Sequence, residues 1–136
     1  MFNLFTHRYQ DFRPETGVPV RITIGAPRWT LPYKIHHIVR EAAPARDYFG
    51  SGKLEFTAAY RSQLDGHGAD FFGPRFEEIA LAAGDARLVL LCFEDLAKPG
   101  QWCHRSMFAQ WWQERTGGRV RELGATGPGF EQGVLL

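Results

Sequence analysis

Apolar and polar positions alternate along the N-terminal part of the chain in a way that predicts β-strands. In residues 19–25, branched aliphatic side chains alternate with polar ones, which is typical of a half-buried strand. Residues 2–6 predict a shorter first strand, and residues 26–33, which contain two prolines, predict a loop. The apolar positions of residues 34–44 fit either a short helix or a strand, and this choice stays open.

Two helices are predicted in the middle of the chain. Residues 53–66 predict a helix because large apolar side chains recur every four positions from Phe56 to Leu64. Residues 73–84 predict a second helix. We expect Pro74 at its first position, where no backbone N–H is needed.

The second half of the chain is predicted to have the order strand, helix, strand. Residues 87–93 are apolar at successive positions, as in a central strand that is covered on both faces. A helix is predicted from about Cys103 to Arg115, and residues 119–123 predict a last short strand. A strand–helix–strand order favours parallel strands. We therefore predict an α/β fold with a small, mostly parallel sheet flanked by helices in a Rossmann-like, three-layer arrangement.

Length and composition indicate one globular domain. The chain has 136 residues, of which 44% are hydrophobic and 23% are charged, as in ordinary globular domains. We expect a single α/β domain at residues 1–123 and a Gly-rich C-terminal tail at residues 124–136. The net charge of +1 argues against a basic nucleic-acid-binding face over the whole domain, although a local basic pocket remains compatible with it.

The expected location of the protein is the cytoplasm. The N-terminus lacks the pattern of a signal peptide, and no apolar stretch approaches the roughly 20 residues of a membrane span. The chain has two cysteines, and free thiols are expected in a reducing compartment. A disulfide between Cys92 and Cys103 is the alternative, since the loop between them is short, but the reducing compartment disfavours it.

The candidate catalytic residues follow the central strand. In open α/β sheets, ligands bind outside the carboxyl ends of the strands, which points to residues 92–105. Cys103 stands at a predicted helix start, where the pKa of a thiol is lowered and its nucleophilicity is raised. His104 is the candidate base, and Glu94 is a candidate general acid or base. In the alternative interpretation, Cys103 is an inert thiol packed under Trp102.

Candidate ligand-binding residues are mainly arginines and tryptophans. Arg105 lies in the first turn of a helix, where acidic residues are usual, and a bound anion explains a cation there. The alternative is a salt bridge from Arg105 to Glu94 or Asp95. Arg28 and Trp29 follow the second strand and are suited to holding an anion and stacking on a planar ring. The alternative for this pair is a surface arginine and a core tryptophan.

No metal ion or other cofactor is predicted. A zinc site requires Cys92, Cys103 and His104 together, with His7 as a further candidate ligand. Their spacing matches no standard zinc pattern. Cys92 lies within a predicted strand, where packing is expected, although its position near the strand end also makes it a candidate ligand-binding residue together with Trp102.

The stretch LVLLCFEDLAKPGQWCHRSMFAQWW resembles the signature of an uncharacterised family, domain of unknown function 488. The matching positions are the Leu-Leu-Cys-x-Glu sequence at residues 90–94, the Cys-His-Arg sequence at residues 103–105, and then Ala109 and Trp111. The resemblance covers roughly residues 2–123. The Cys-His-Arg block is its specific part.

The resemblance implies an α/β fold and a site that comprises Cys92, Glu94, Cys103, His104 and Arg105. It supplies no activity. Some members of that family look associated with nucleic-acid processing or modification, so the resemblance implies a nucleotide or a nucleic acid as a partner.

Three hypotheses of function follow. The first is a small cytoplasmic enzyme that acts on a nucleotide or nucleic-acid substrate, with its phosphate held by Arg28, Arg105 and the helix N-terminus. The second is a binding module without turnover, in which a base stacks on Trp29 or Trp102. The third is a purely structural Cys-His-Arg motif. The sequence predicts no interaction with a membrane and leaves the oligomeric state open.

Overall fold

Five parallel strands form the central sheet of the protein. In the computed structural model, which describes residues 1–94, 96 and 100–124, the strands are β1 (Asn3–Arg8), β2 (Val18–Arg21), β3 (His37–Ile38), β4 (Arg87–Cys92) and β5 (Val120–Glu122). Their order in the sheet is β3-β2-β4-β1-β5, and every neighbouring pair is parallel. The predicted α/β class, with a parallel sheet flanked by helices, is confirmed.

Three α-helices contribute to the larger part of the hydrophobic core. They are α1 (Lys53–His67), α2 (Ala69–Ala83) and α3 (His104–Thr116). Their buried side chains pack with Leu88 and Leu90 of β4. Val89 and Leu91 point to the opposite face, where they pack with Tyr9, Phe12 and residues of the connecting segment 31–35. The central strand is therefore buried on both faces, as its sequence predicts.

The structure settles one choice of secondary structure that the sequence leaves open, and it corrects one predicted helix start. The ambiguous residues 34–44 form the short strand β3 and a 3-10 turn at Arg40–Ala42. The prediction that Pro74 opens a helix is wrong, because α2 begins at Ala69 and contains Pro74 in its interior. Gly68, with φ 87°, separates α1 from α2. A positive φ is accessible to glycine without steric cost, so the break falls there instead of at the proline.

The register of the sheet brings the ends of β2 and β4 together. Arg21 at the end of β2 pairs with Leu91, one residue before the end of β4. Residues 23–25 and 92–94 therefore leave the sheet side by side. Among the described residues, no helix combines the length and the apolar character that crossing a membrane requires. The predicted Gly-rich tail lies outside the described residues from position 125 onward.

Candidate functional site

A cavity of about 390 Å³ opens at the carboxyl ends of β2 and β4. Its walls come from residues 23–25, 49–51, 92–94 and 100–104, together with Pro44 and Phe56. This is the edge of a parallel sheet at which α/β proteins bind ligands. Five of the candidate residues line this cavity, namely Cys92, Glu94, Trp102, Cys103 and His104.

Cys92 and Cys103 form a disulfide in the wall of the cavity. The prediction of free thiols is wrong for this structure, in which both cysteines of the chain are paired. Cys92 ends β4, and Cys103 is the N-cap residue of α3. The residue before the helix therefore lies beside the strand end. A reducing compartment favours free thiols, whereas the fold brings the two sulfur atoms together.

His104 lies beside both sulfur atoms. Its Nδ1 is 3.5 Å from Sγ of Cys92 and 3.8 Å from Sγ of Cys103. Its Nε2 lies 2.5 Å from the carbonyl oxygen of Ile22. Because a carbonyl oxygen only accepts hydrogen bonds, Nε2 carries the proton and donates it to Ile22.

The imidazole of His104 is neutral at physiological pH. Burial lowers the pKa of His104 from 6.5 to about 4, and the charge of Arg105 also lowers it, while the hydrogen bond to Ile22 raises it. In a neutral ring with the proton on Nε2, Nδ1 holds a free lone pair. The structure therefore presents an unprotonated nitrogen to both sulfur atoms at the cavity wall.

Glu94 supplies the carboxylate of the cavity. Its Oε1 lies 3.3 Å from Sγ of Cys92, and its side chain is partly buried. It lies two residues after the end of β4, as the sequence predicts for a polar group just past the central strand. Glu94 is thus close to the sulfur atoms and also reaches the open space of the cavity.

Aromatic rings form much of the remaining wall. Trp102 packs edge-on against Phe56, with ring centroids 5.1 Å apart, and Phe49 lies 6.4 Å from Phe56. Trp29 packs against Phe93 at 6.1 Å, and 45% of its surface is exposed. Of the two predicted stacking residues, Trp102 lines the cavity, and Trp29 contacts Phe93 but is not among the described residues of the cavity wall.

The two predicted anion-binding arginines lie elsewhere. Arg105 is 1% exposed and donates hydrogen bonds to both carboxylate oxygens of Glu122, at 3.0 Å each. The predicted partner Glu94 is wrong, and Asp95 lies outside the described residues. Arg28 is exposed and is absent from the described cavity wall. The structure therefore brings neither guanidinium group into contact with the cavity.

Glu122, the partner of Arg105, is not among the residues predicted from the sequence. It lies on β5 two positions after the buried Val120, and it accepts a hydrogen bond from the hydroxyl of Thr6 at 2.7 Å. A detectable signal existed, because residues two apart on a strand share a face. A glutamate on the buried face of a strand needs a cation or hydrogen-bond donors, and Arg105 provides both.

Comparisons of the chain with protein-family models, with curated proteins and with solved structures found no match. The candidate chemistry therefore depends on the geometry of the cavity. It combines a disulfide that yields two thiols on reduction, a neutral imidazole that faces both sulfur atoms, and a carboxylate. A thiol next to an unprotonated imidazole is the arrangement from which cysteine enzymes generate a thiolate.

Proposed function

We propose that the protein is a small cytoplasmic enzyme that acts on the base of a nucleotide or of a nucleic acid bound in this cavity. The observation that carries the proposal is the neutral His104, whose Nδ1 faces the sulfur atoms of Cys92 and Cys103 in the wall of an aromatic cavity. Catalytic residues commonly combine an altered pKa with a position in a cleft.

The size and the chemistry of the cavity suit a planar heterocycle. A volume of about 390 Å³ falls in the range of ligand pockets, roughly 300–1,000 Å³. The rings of Phe49, Phe56 and Trp102 offer edges and faces on which a base stacks. Glu94 accepts a hydrogen bond from an amino group of the base, as acidic side chains do from cytosine.

The phosphate of the ligand remains outside the cavity in this proposal. None of the described residues that line the cavity is a lysine or an arginine. The charge of Arg105 is already compensated by Glu122. The base therefore enters the cavity while the sugar and phosphate stay at its mouth, and a base within a duplex must leave the stack to reach it.

The reactive group is present in the reduced protein. A reducing cytoplasm opens the disulfide, and Nδ1 of His104 then accepts a proton from the Cys103 thiol. Cys103 acts as a nucleophile or polarises the substrate, and Glu94 serves as the general acid or base. The proposed catalytic residues are thus Cys103, His104 and Glu94.

Tryptophan fluorescence tests the binding step. Nucleosides and nucleotides added to the reduced protein are expected to quench Trp102, and Trp102→Phe is expected to lose most of that signal. Glu94→Gln is expected to weaken the binding of cytidine, because a carboxylate is a stronger acceptor than an amide. Glu78→Gln is the matched control, since Glu78 is exposed on α2 and lies outside the cavity wall.

Turnover separates an enzyme from a binding module. Chromatography of nucleotides and oligonucleotides after incubation with the reduced protein is expected to show conversion, which Cys103→Ser abolishes while binding persists. Quenching without conversion of any of these ligands favours the alternative function, a non-catalytic nucleotide-binding module. The absence of quenching by all of them contradicts both functions.

A further inference from the structure

We infer that the reduced protein binds one Zn²⁺ ion through Sγ of Cys92, Sγ of Cys103 and Nδ1 of His104, with the fourth coordination position open to the cavity. The ion deepens the proposed function, on which this inference rests. Cys103 and His104 then hold the ion instead of acting as nucleophile and base, and a water molecule on the ion acts on the bound base. Binding of the ion requires no substrate, and the two claims are therefore tested separately.

The three proposed ligand atoms lie close together in the structure. They lie within 4.8 Å of one another, and all three residues are buried. In a tetrahedral zinc site, with Zn–S distances of about 2.3 Å and Zn–N distances of about 2.0–2.1 Å, ligand atoms are about 3.5–3.8 Å apart. The separations of Nδ1 from the two sulfur atoms, 3.5 Å and 3.8 Å, match this spacing.

The backbone spacing of the cysteines also suits an ion. The Cα atoms of Cys92 and Cys103 are 7.1 Å apart, whereas disulfides usually join Cα atoms roughly 4.4–6.8 Å apart. Two thiolates that share one zinc ion stand about 3.8 Å from each other. The Cα separation of 7.1 Å leaves room for the sulfur atoms of the reduced protein to stand that far apart.

His104 is oriented as a zinc ligand. Histidine ligands commonly donate their second ring N–H to a carbonyl or carboxylate, which sets the tautomer and the ring direction. Nε2 of His104 donates to the carbonyl oxygen of Ile22, so the remaining nitrogen is free to coordinate. The ring of Tyr60 packs edge-on against the imidazole, with centroids 5.6 Å apart, and restricts its rotation.

Charge and protons balance for this site. A dithiol reductant delivers two electrons and two protons to the disulfide and is itself oxidised to a disulfide. Zn²⁺ then displaces the two thiol protons to solvent. The two thiolates neutralise the charge of the ion, which favours its burial, because an uncompensated charge is costly in an apolar setting.

Glu94 lies beside this ligand set. Its Oε1 is 3.3 Å from Sγ of Cys92, and it is not among the three groups that lie mutually within 4.8 Å. Three protein ligands and an open position distinguish catalytic zinc sites from structural ones. A water molecule in the open position has a pKa of about 7, and Glu94 is placed to accept its proton. In the hydrolysis that follows, the water oxygen bonds to a ring carbon that carries an amino group, the C–N bond breaks, and Glu94 returns the proton to the leaving ammonia, with no change of oxidation state.

Cobalt substitution and metal analysis test the site directly. Protein reduced with a phosphine and dialysed against Zn²⁺ is expected to retain one zinc per chain. Co²⁺ in its place is expected to show thiolate-to-cobalt charge transfer and the intense visible bands of a tetrahedral ion. Cys103→Ser and His104→Asn are each expected to lower the affinity for Zn²⁺ by more than the roughly 10–100-fold that loss of a supporting partner costs. His36→Asn is the matched control, since His36 is exposed and is not part of the cluster.

Two outcomes overturn the inference. The first is a reduced wild-type protein that retains no zinc or gives only octahedral cobalt spectra. The second is an unchanged zinc content in Cys103→Ser. If the variants do not fold, the alkylation rates of the wild-type thiols with and without Zn²⁺ test the site. Bound zinc protects both thiols from iodoacetamide, and alkylation rates that Zn²⁺ does not change overturn the inference. Nucleoside quenching in zinc-free protein shows whether the proposed function survives when the metal site fails.

Discussion

Arg105 and Glu122 form a buried, bidentate ion pair between the start of α3 and the last strand. Nε and Nη2 of Arg105 each lie 3.0 Å from one carboxylate oxygen of Glu122, and the two side chains are 1% and 8% exposed. This geometry is the strongest that an arginine and a carboxylate make. The pair joins the first turn of α3, which carries His104, to the edge of the sheet.

Removal of either partner of this pair is expected to destabilise the protein strongly. Arg105→Ala removes the bidentate guanidinium partner of the buried Glu122 carboxylate, and breaking a buried pair in this way typically costs about 3–5 kcal/mol. Urea unfolding followed by circular dichroism measures the loss. If Arg105 instead serves a bound anion, the same substitution leaves the free energy of unfolding unchanged or raises it.

Arg61→Ala is the control for the loss of an arginine ion pair. Arg61 bonds Glu114 on the surface, with 27% and 42% of the two side chains exposed. Exposed pairs contribute about 0–1 kcal/mol, so this variant is expected to remain close to the wild type. A similar loss in Arg61→Ala and Arg105→Ala contradicts a special role for the buried pair.

Much of the fold can be predicted because local patterns and burial agree. Residues 87–93 are apolar at successive positions and form β4, which is buried on both faces. The helix expected from Cys103 is α3, with Cys103 as its N-cap residue. Where local signals conflict, prediction fails, and Pro74 inside α2 is the example. The single glycine at position 68, with its positive φ, outweighs the usual preference of proline for a helix start.

The position of the candidate site can be predicted, but its pairings cannot. The rule for parallel sheets points to residues 92–105, and the cavity lies there. The partners of these residues come from distant parts of the chain, as Glu122 does for Arg105 and Ile22 does for His104. No local pattern encodes such contacts, because they depend on strand order and register. The strand order β2-β4-β1-β5 is what makes both of these contacts possible.

Reduction of the disulfide is expected to destabilise the metal-free protein. Cys92 and Cys103 are 11 positions apart, and closing a loop of this length contributes about 3 kcal/mol in the chain-entropy account. Thermal unfolding with a phosphine reductant and EDTA is expected to give a lower Tm than without the reductant. Replacing EDTA with Zn²⁺ is expected to restore the Tm, because a ligand that binds the folded state stabilises it.

The double variant Cys92→Ala/Cys103→Ala is the control for this redox effect. It has neither a disulfide to reduce nor thiolates to hold an ion. Its Tm is expected to be the same with and without the reductant, and Zn²⁺ is expected to leave it unchanged. A Tm of the wild type that does not respond to reduction contradicts a stabilising disulfide.

Stability is expected to decrease as the pH is lowered through the range where histidines titrate. Burial lowers the pKa of His7 and lowers that of His104 from 6.5 to about 4. The unfolded chain then binds protons that the folded chain does not, so the free energy of unfolding rises with pH in this window. The contribution is fully present above pH 6.5 and is lost as the pH falls towards 4. For His104 it amounts to about 3 kcal/mol.

Urea unfolding of the oxidised protein in EDTA, between about pH 7 and about pH 4.5, measures this slope. The aspartates whose pKa values are lowered, such as Asp65 and Asp85, lose their contribution only below 3.8, so the window isolates the histidines. His104→Asn is expected to have a shallower slope than the wild type, and His36→Asn the same slope. A flat profile in the wild type contradicts a buried neutral His104.

Two glycines are expected to respond to alanine in opposite directions. Gly17 precedes β2 with φ 150°, and a Cβ atom there meets the carbonyl oxygen of Arg87 on β4 at 2.6 Å. Gly17→Ala therefore requires the strands to shift and is expected to cost about 1–3 kcal/mol.

Gly66 lies within α1, where a Cβ atom has open space. Gly66→Ala is expected to stabilise the protein by about 0.5–1 kcal/mol, since alanine has the higher helix propensity. Urea unfolding of both variants checks the signs, and a Gly17→Ala variant as stable as the wild type contradicts the close approach of β2 to β4.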